Sequence, residues 1–91
     1  MRKKASANNL WAYRKKNGHT QKRVAHFLDH KTSSQLSHYE RGIKYPNLVN
    51  ALKLEIVYRV PVAFLFNDLY GKLREDIRRR EDQFNKVFSG K

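Results

Sequence analysis

The chain has 91 residues, enough for one domain with a small core, and no cysteine, so neither disulfides nor thiolate metal sites can add stability. Its formal net charge of +12 is uneven: residues 1–46 carry eleven Lys/Arg against Asp29 and Glu40, a net of +9, whereas residues 47–91 have a net of +3. That asymmetry suits a phosphate-binding surface better than a general solubility device; no stretch approaches the ~18 apolar residues of a membrane span, and no apolar signal core follows Met1, so a cytoplasmic protein is expected.

Residues 1–5 form a basic arm without helical periodicity, in which Arg2, Lys3 and Lys4 either follow a nucleic-acid backbone or minor groove, or are simply an untethered start of the chain. A first helix is predicted from about Ser6 or Asn8 to Asn17. Leu10 and Tyr13 face inward, with Trp11 a further candidate, and Asn17-Gly18 is a C-cap signal. Thr20 caps a second helix whose apolar face is Val24, Ala25 and Leu28, with Ala25 small where another helix must come close. Thr32, with Gln35 three residues later, reads as a capping box opening a third helix. Leu36 is the only aliphatic there and must be its anchor. Advancing about 100° per residue sets Tyr39 and Glu40 beside Leu36 and turns Ser34, Ser37, His38 and Arg41 outward.

Gly42 and Pro46 end that helix and introduce the next. Asn47 caps a fourth helix with Leu48, Ala51, Leu52, Leu54 and Tyr58 as its apolar positions, and Arg59 follows it. Pro61 begins a fifth helix that buries Val62 and Leu65. Leu65, Leu69, Leu73 and Ile77 then repeat every four residues, and Phe84 and Phe88 extend the stripe past a gap at Arg80-Glu81. Glu75 with Arg79, and Asp76 with Arg80, are i,i+4 pairs in the favourable acid-first order. A long amphipathic helix is predicted over residues 67–91, with a hinge near Asn67 to Gly71. No period-two alternation is sustained, so the fold is expected to be all-α.

The run Thr20-Gln21, Val24-Ala25, Leu28, Leu36-Ser37, Glu40-Arg41-Gly42 and Pro46 resembles the lambda-repressor-like (Cro/repressor-type) helix-turn-helix family. Leu10, Arg14, Gly18, Leu48, Leu54, Val60, Val62 and Leu65 extend the resemblance from about Leu10 to Phe66. It implies a five-helix DNA-binding domain over residues 6–66, to which the helix at 67–91 is an addition. Two departures stand out. Asp29 occupies the place of the family's turn glycine, and the turn Asp29-His30-Lys31 is one residue longer than the commonest pattern. Arg59 likewise stands where a glycine usually ends the fourth helix.

The resemblance implies that the third helix enters the major groove of double-stranded DNA. Ser33, Ser34, Gln35, Ser37 and His38 are then the candidates for base edges, with His38 the firmest donor to guanine and Gln35 able to read adenine. Gln21, at the first turn of its helix, matches a residue that binds phosphate in relatives, and Lys22, Arg23, Lys31, Arg41 and Lys44 flank the face as phosphate contacts. Arg14 and Glu40 match positions that form a buried ion pair. Tyr39 is expected to be half-buried support for its helix.

His26 and His30 have chelating i,i+4 spacing but no third ligand at a convincing distance, so no metal is expected. The chain has no nucleophile with a base in recognisable order, no phosphate-cradling glycine loop and no carboxylate cluster for magnesium. Neither an enzyme nor a cofactor is expected. A transcriptional regulator, most simply a repressor, acting as a homodimer on a pseudo-palindromic operator is the leading expectation. The alternatives are an antitoxin-like module that binds a protein partner as well as its own operator, and an architectural DNA binder of low specificity. The stripe Leu69, Leu73, Ile77, Phe84 and Phe88 is read as a dimerisation face; the competing reading folds it back over Trp11 or Tyr58.

Overall fold

The computed structural model describes residues 8–88, and the basic arm lies outside them. Six helices follow in order: α1 (Leu10–Lys16), α2 (Gln21–Phe27), α3 (Ser34–Glu40), α4 (Leu48–Tyr58), α5 (Val62–Leu65) and α6 (Asn67–Phe88). There is no strand among the described residues. The architecture is all-helical, with a small core followed by a long C-terminal helix. That core gathers Leu10 from α1, Val24 and Leu28 from α2, Leu36 and Tyr39 from α3, Leu54 and Tyr58 from α4, and Leu65-Phe66 from the end of α5. Each helix except α6 contributes a buried anchor, so none of the short ones must be stable alone.

The helix ends explain how seven-residue helices stop cleanly. After α1, Gly18 (φ 73°) takes the left-handed conformation, and the His19 N–H donates to the Arg14 carbonyl at 3.0 Å. The same closure ends α2 at Asp29 (φ 64°), where the His30 N–H donates to the Ala25 carbonyl at 2.9 Å. Gly42 (φ 76°) closes α3, and Arg59 (φ 61°) closes α4. Asp29 and Arg59 thus hold glycine conformations without being glycine. At the other ends, the Thr20 hydroxyl accepts from the Arg23 N–H (3.0 Å) and the Asn47 side chain accepts from the Asn50 N–H (2.8 Å). Two side chains cap across the fold: Lys53 donates to the Leu28 carbonyl at 3.3 Å, and Glu55 accepts from the Val62 N–H at 3.1 Å.

Several sequence expectations are corrected. Helix α1 starts at Leu10, and Trp11 points outward, half exposed, with the Lys15 ammonium 5.7 Å from its ring centre. Trp11 lies one residue, about 100°, from the inward Leu10 and about 60° beyond Arg14, which turns it out of the core. Thr32 and Gln35 form no capping box. The Thr32 hydroxyl accepts from the Ser34 N–H at 3.3 Å, so the turn closes two residues on and the helix begins at Ser34. On α4 the inward row is Leu54 and Tyr58 with Ala51 half-buried, whereas Leu48 and Leu52 lie outside. The break before α6 falls at Phe66 (φ −120°, ψ 53°), and the helix runs unhinged through Gly71. Arg79 pairs with Asp76 rather than Glu75, leaving Arg80 without a carboxylate partner among the described residues.

Helix α6 has 22 residues, about 33 Å of helix, and none of them is buried. Leu69 packs against the core, but Leu73, Ile77 and Phe84 stay more than half exposed. The stripe therefore does not fold back over Trp11, and Tyr58 is buried by the core rather than by α6.

Candidate nucleic-acid interface

Helices α2 and α3 pack on each other through Val24, Ala25, Leu28 and Leu36, and their relative angle is fixed by a buried polar network. Arg14 of α1 forms a two-pronged pair with Glu40 of α3: Nε donates to Oε2 at 2.6 Å and Nη2 to Oε1 at 3.2 Å, with both side chains less than a tenth exposed. A third guanidinium nitrogen, Nη1, donates to the His19 carbonyl at 3.1 Å. Gln21 of α2 completes the network by donating its side-chain amide to Glu40 Oε1 at 3.0 Å. Three helices thus converge on one carboxylate, and its bidentate geometry suits Arg rather than Lys.

This placement revises the reading of Gln21. Its side chain is half-buried and gives one amide N–H to Glu40, which leaves the backbone N–H, at the first turn of α2, and the second amide N–H for an anion.

The outer side of α3 is only partly as expected, since Ser37 and His38 do not turn fully outward. Ser34, Gln35 and Arg41 are exposed, and Ser33, Ser37 and His38 are half-buried at the edges of the helix. No acid lies on this face, since Glu40 is turned inward. Lys22 and Arg23 on α2, Lys31 in the turn and Lys44 beyond α3 are all exposed. Arg23 lies over the Phe27 ring with its guanidinium carbon 5.5 Å from the ring centre, which restrains the side chain along α2. Asp29, exposed in the turn, is the one acid close by in sequence.

Two asparagines just before α1 tie distant parts of the chain together, Asn8 holding α3 and Asn9 holding the end of α5 and the start of α6. Asn8 Nδ2 donates to the Tyr39 carbonyl at 2.8 Å, and its Oδ1 accepts from the Leu10 N–H at 3.0 Å. Asn9 donates from its backbone to the Leu65 carbonyl (2.9 Å) and from Nδ2 to the Phe64 carbonyl (2.8 Å) and Asn67 Oδ1 (3.1 Å). Tyr39 is fully buried rather than half-buried, and its hydroxyl accepts from Asn50 Nδ2 at 3.1 Å. Tyr58 lies near the ion pair with its hydroxyl buried and without a hydrogen-bond partner. Burial pushes this phenol above the usual tyrosine range, the Glu40 charge adds to the rise, and Arg14 opposes it.

Among the described residues no group of three or more His, Cys, Asp or Glu side chains could hold a metal ion, and no helix is long and apolar enough to cross a membrane. A helix-turn-helix family model matches residues 12–65, more than half of the chain. The chain belongs to the helix-turn-helix family, of the lambda-repressor-like, Cro type. The family is one of DNA-binding transcription regulators and is not typically enzymatic. No curated protein and no solved structure gives a significant match.

Proposed function

We propose that this helix-turn-helix protein is a sequence-specific repressor that docks α3 in the major groove and occludes a promoter. The observation that carries the reading is the polar, acid-free outer face on α3, with exposed cations before and after it in the chain, held by the buried Arg14–Glu40–Gln21 network. Ser33, Ser34, Gln35, Ser37 and His38 are assigned to base edges. Lys22, Arg23, Lys31, Arg41, Lys44 and the Gln21 backbone N–H are assigned to phosphates. With no Arg at the centre of the reading face, DNA shape and bridging water supply a large share of the specificity.

The protein acts as a homodimer joined through the α6 stripe. A helix in a protein draws most of its stability from packing its amphipathic face, and the apolar face of α6 is unburied within the chain. Two-fold symmetry then places two copies of α3 about 34 Å apart on a pseudo-palindromic operator.

Selection of bound sequences from a random DNA pool tests the assignment. A short inverted-repeat motif is expected. A flat profile would mean an architectural binder, and co-purification of a stoichiometric partner protein on α6 would point to an antitoxin-like module.

A further inference from the structure

Helix α4 carries a second apolar face that the core does not use. Leu48 (72% exposed), Val49 (59%), Leu52 (48%) and Ile56 (73%) lie within about 100° of arc on its outer side. Their i,i+4 row Leu48-Leu52-Ile56 matches the rows Leu73-Ile77 and Phe84-Phe88 on α6, the condition for packing one set of ridges into the other's grooves. We propose that the outer face of α4 is the docking site for α6 of a second copy of this chain. The inference rests on the dimer reading above and specifies which surface α6 covers.

Charge argues against the simpler arrangement, α6 upon α6. Measured around the helix, Arg80 sits inside the apolar stripe, about 20° from Leu73 and 40° from Phe84. It is also close to the stripe's midpoint along the axis. A parallel two-fold pairing of identical stripes, or an antiparallel one centred on the stripe's midpoint, brings the two Arg80 guanidinium groups within about one helical turn of each other in an apolar seam. Asp76, the acid at favourable spacing, is taken by Arg79.

The α4 face offers Arg80 a partner of opposite sign. Glu55 and Arg59 fall on the same arc as Leu48 and Leu52, and a concavity of about 330 Å³ opens between Glu55, Ile56, Arg59, Val60 and Pro61. On α6 a concavity of about 470 Å³ holds Arg80 and Glu81 between Ile77 and Phe84. Each hollow carries one acid and one base, so Arg80 meets Glu55 and Glu81 meets Arg59. Glu55 uses one oxygen on the Val62 N–H, and the other remains available.

Area points the same way. Tyr70, Leu73, Ile77, Phe84 and Val87 are each 51–69% exposed. With Phe88 (61% exposed), at roughly 100 Å² apiece they offer about 600 Å² of apolar surface per chain. The four α4 side chains add about 400 Å² per chain at the same rate, so docking on α4 takes both apolar faces out of water, whereas α6 upon α6 leaves the α4 face exposed.

The absence of cysteine makes the test clean. Ile56→Cys chains mixed with Ile77→Cys or Phe84→Cys chains should give a mixed disulfide between different copies as the main oxidised product. Leu52→Glu should weaken self-association about tenfold or more by sedimentation with helix content unchanged, since Leu52 is already half exposed. An Ile77→Cys homodisulfide as main product, with a dimer indifferent to Leu52→Glu, would overturn docking on α4 while leaving the dimer standing. A parent chain that stays monomeric at high micromolar concentration would overturn both.

Discussion

Replacing Glu40 with Gln should nearly unfold this protein, although the two side chains differ by one heavy atom type. Glu40 accepts two bonds from Arg14 and one from Gln21, and both members of the ion pair are less than a tenth exposed. In Glu40→Gln the amide nitrogen must face a donor whichever way it is turned, and the guanidinium keeps its charge in a site that no longer neutralises it. Breaking a buried pair from one side costs about 3–5 kcal/mol, a large part of the roughly 5–15 kcal/mol that holds a small domain. At about 4–8 °C per kcal/mol for a domain of this size, the midpoint should fall by at least about 12 °C. Circular dichroism at the helix band, followed through heating at neutral pH, reads this directly. The double variant Arg14→Met/Glu40→Leu should recover much of the loss, because an apolar replacement of both partners leaves no orphan charge. A Glu40→Gln midpoint within about 3 °C of the parent would show that the network does not hold the fold together.

Three further outcomes follow from individual sites. Asp29→Gly should stabilise the protein by about 0.5–1 kcal/mol in urea melts, because Asp29 sits at φ 64°, and should also strengthen DNA binding by removing an acid near the reading face. Tyr58→Phe should gain about 1 kcal/mol at pH 7, since it removes a buried hydroxyl without a partner. Because the folded Tyr58 is raised and the unfolded phenol ionises near pH 10, the parent keeps its full stability below about pH 10 and loses it as pH rises further; Tyr58→Phe should flatten that part of the curve. On DNA, His38→Ala should relax preference at one or two base positions while non-specific binding survives. Arg41→Ala or Lys44→Ala should weaken all sequences alike and make the slope of log K against log salt, expected at about −5 to −7 for a dimer, shallower by about one to two. A parent slope shallower than about −2, or a uniform loss from His38→Ala, would contradict the interface.

What the sequence made legible was whatever depends on neighbours along the chain. Caps at Thr20 and Asn47, left-handed stops at Gly18 and Gly42, and the inward turn of Leu36, Tyr39 and Glu40 all follow from spacing within a helical turn or two. Where two local solutions compete, spacing could not choose. Helix α4 has an apolar row on each side, so Leu48 and Leu52 were as good core candidates as Leu54 and Tyr58. The tertiary fold settled it by packing the latter pair. Around Thr32 three successive hydroxyls can all cap, and the two-residue turn prevailed over the capping box. Partners distant in sequence were the least visible. Gln21 stands where a helix start meets an anion, yet its side chain turns to a carboxylate nineteen residues on, and Asn9 reaches the backbone of Phe64.

Those distant contacts link the two ends of the molecule. From Glu40 the chain of bonds runs through the neighbouring Tyr39 carbonyl to Asn8, then through Asn9 to the carbonyls of Phe64 and Leu65 and the side chain of Asn67, the first residue of α6. The proposed reading helix and the proposed dimerisation helix are thus tied to the same two asparagines, although neither helix packs on the other along its length. A symmetric dimer needs this linkage. The spacing between two copies of α3 is set at the interface, and it reaches the groove only if the intervening structure does not bend. Short helices stopped by left-handed residues, a core filled from five helices and a polar network converging on Glu40 supply that stiffness in a chain with no disulfide to provide it.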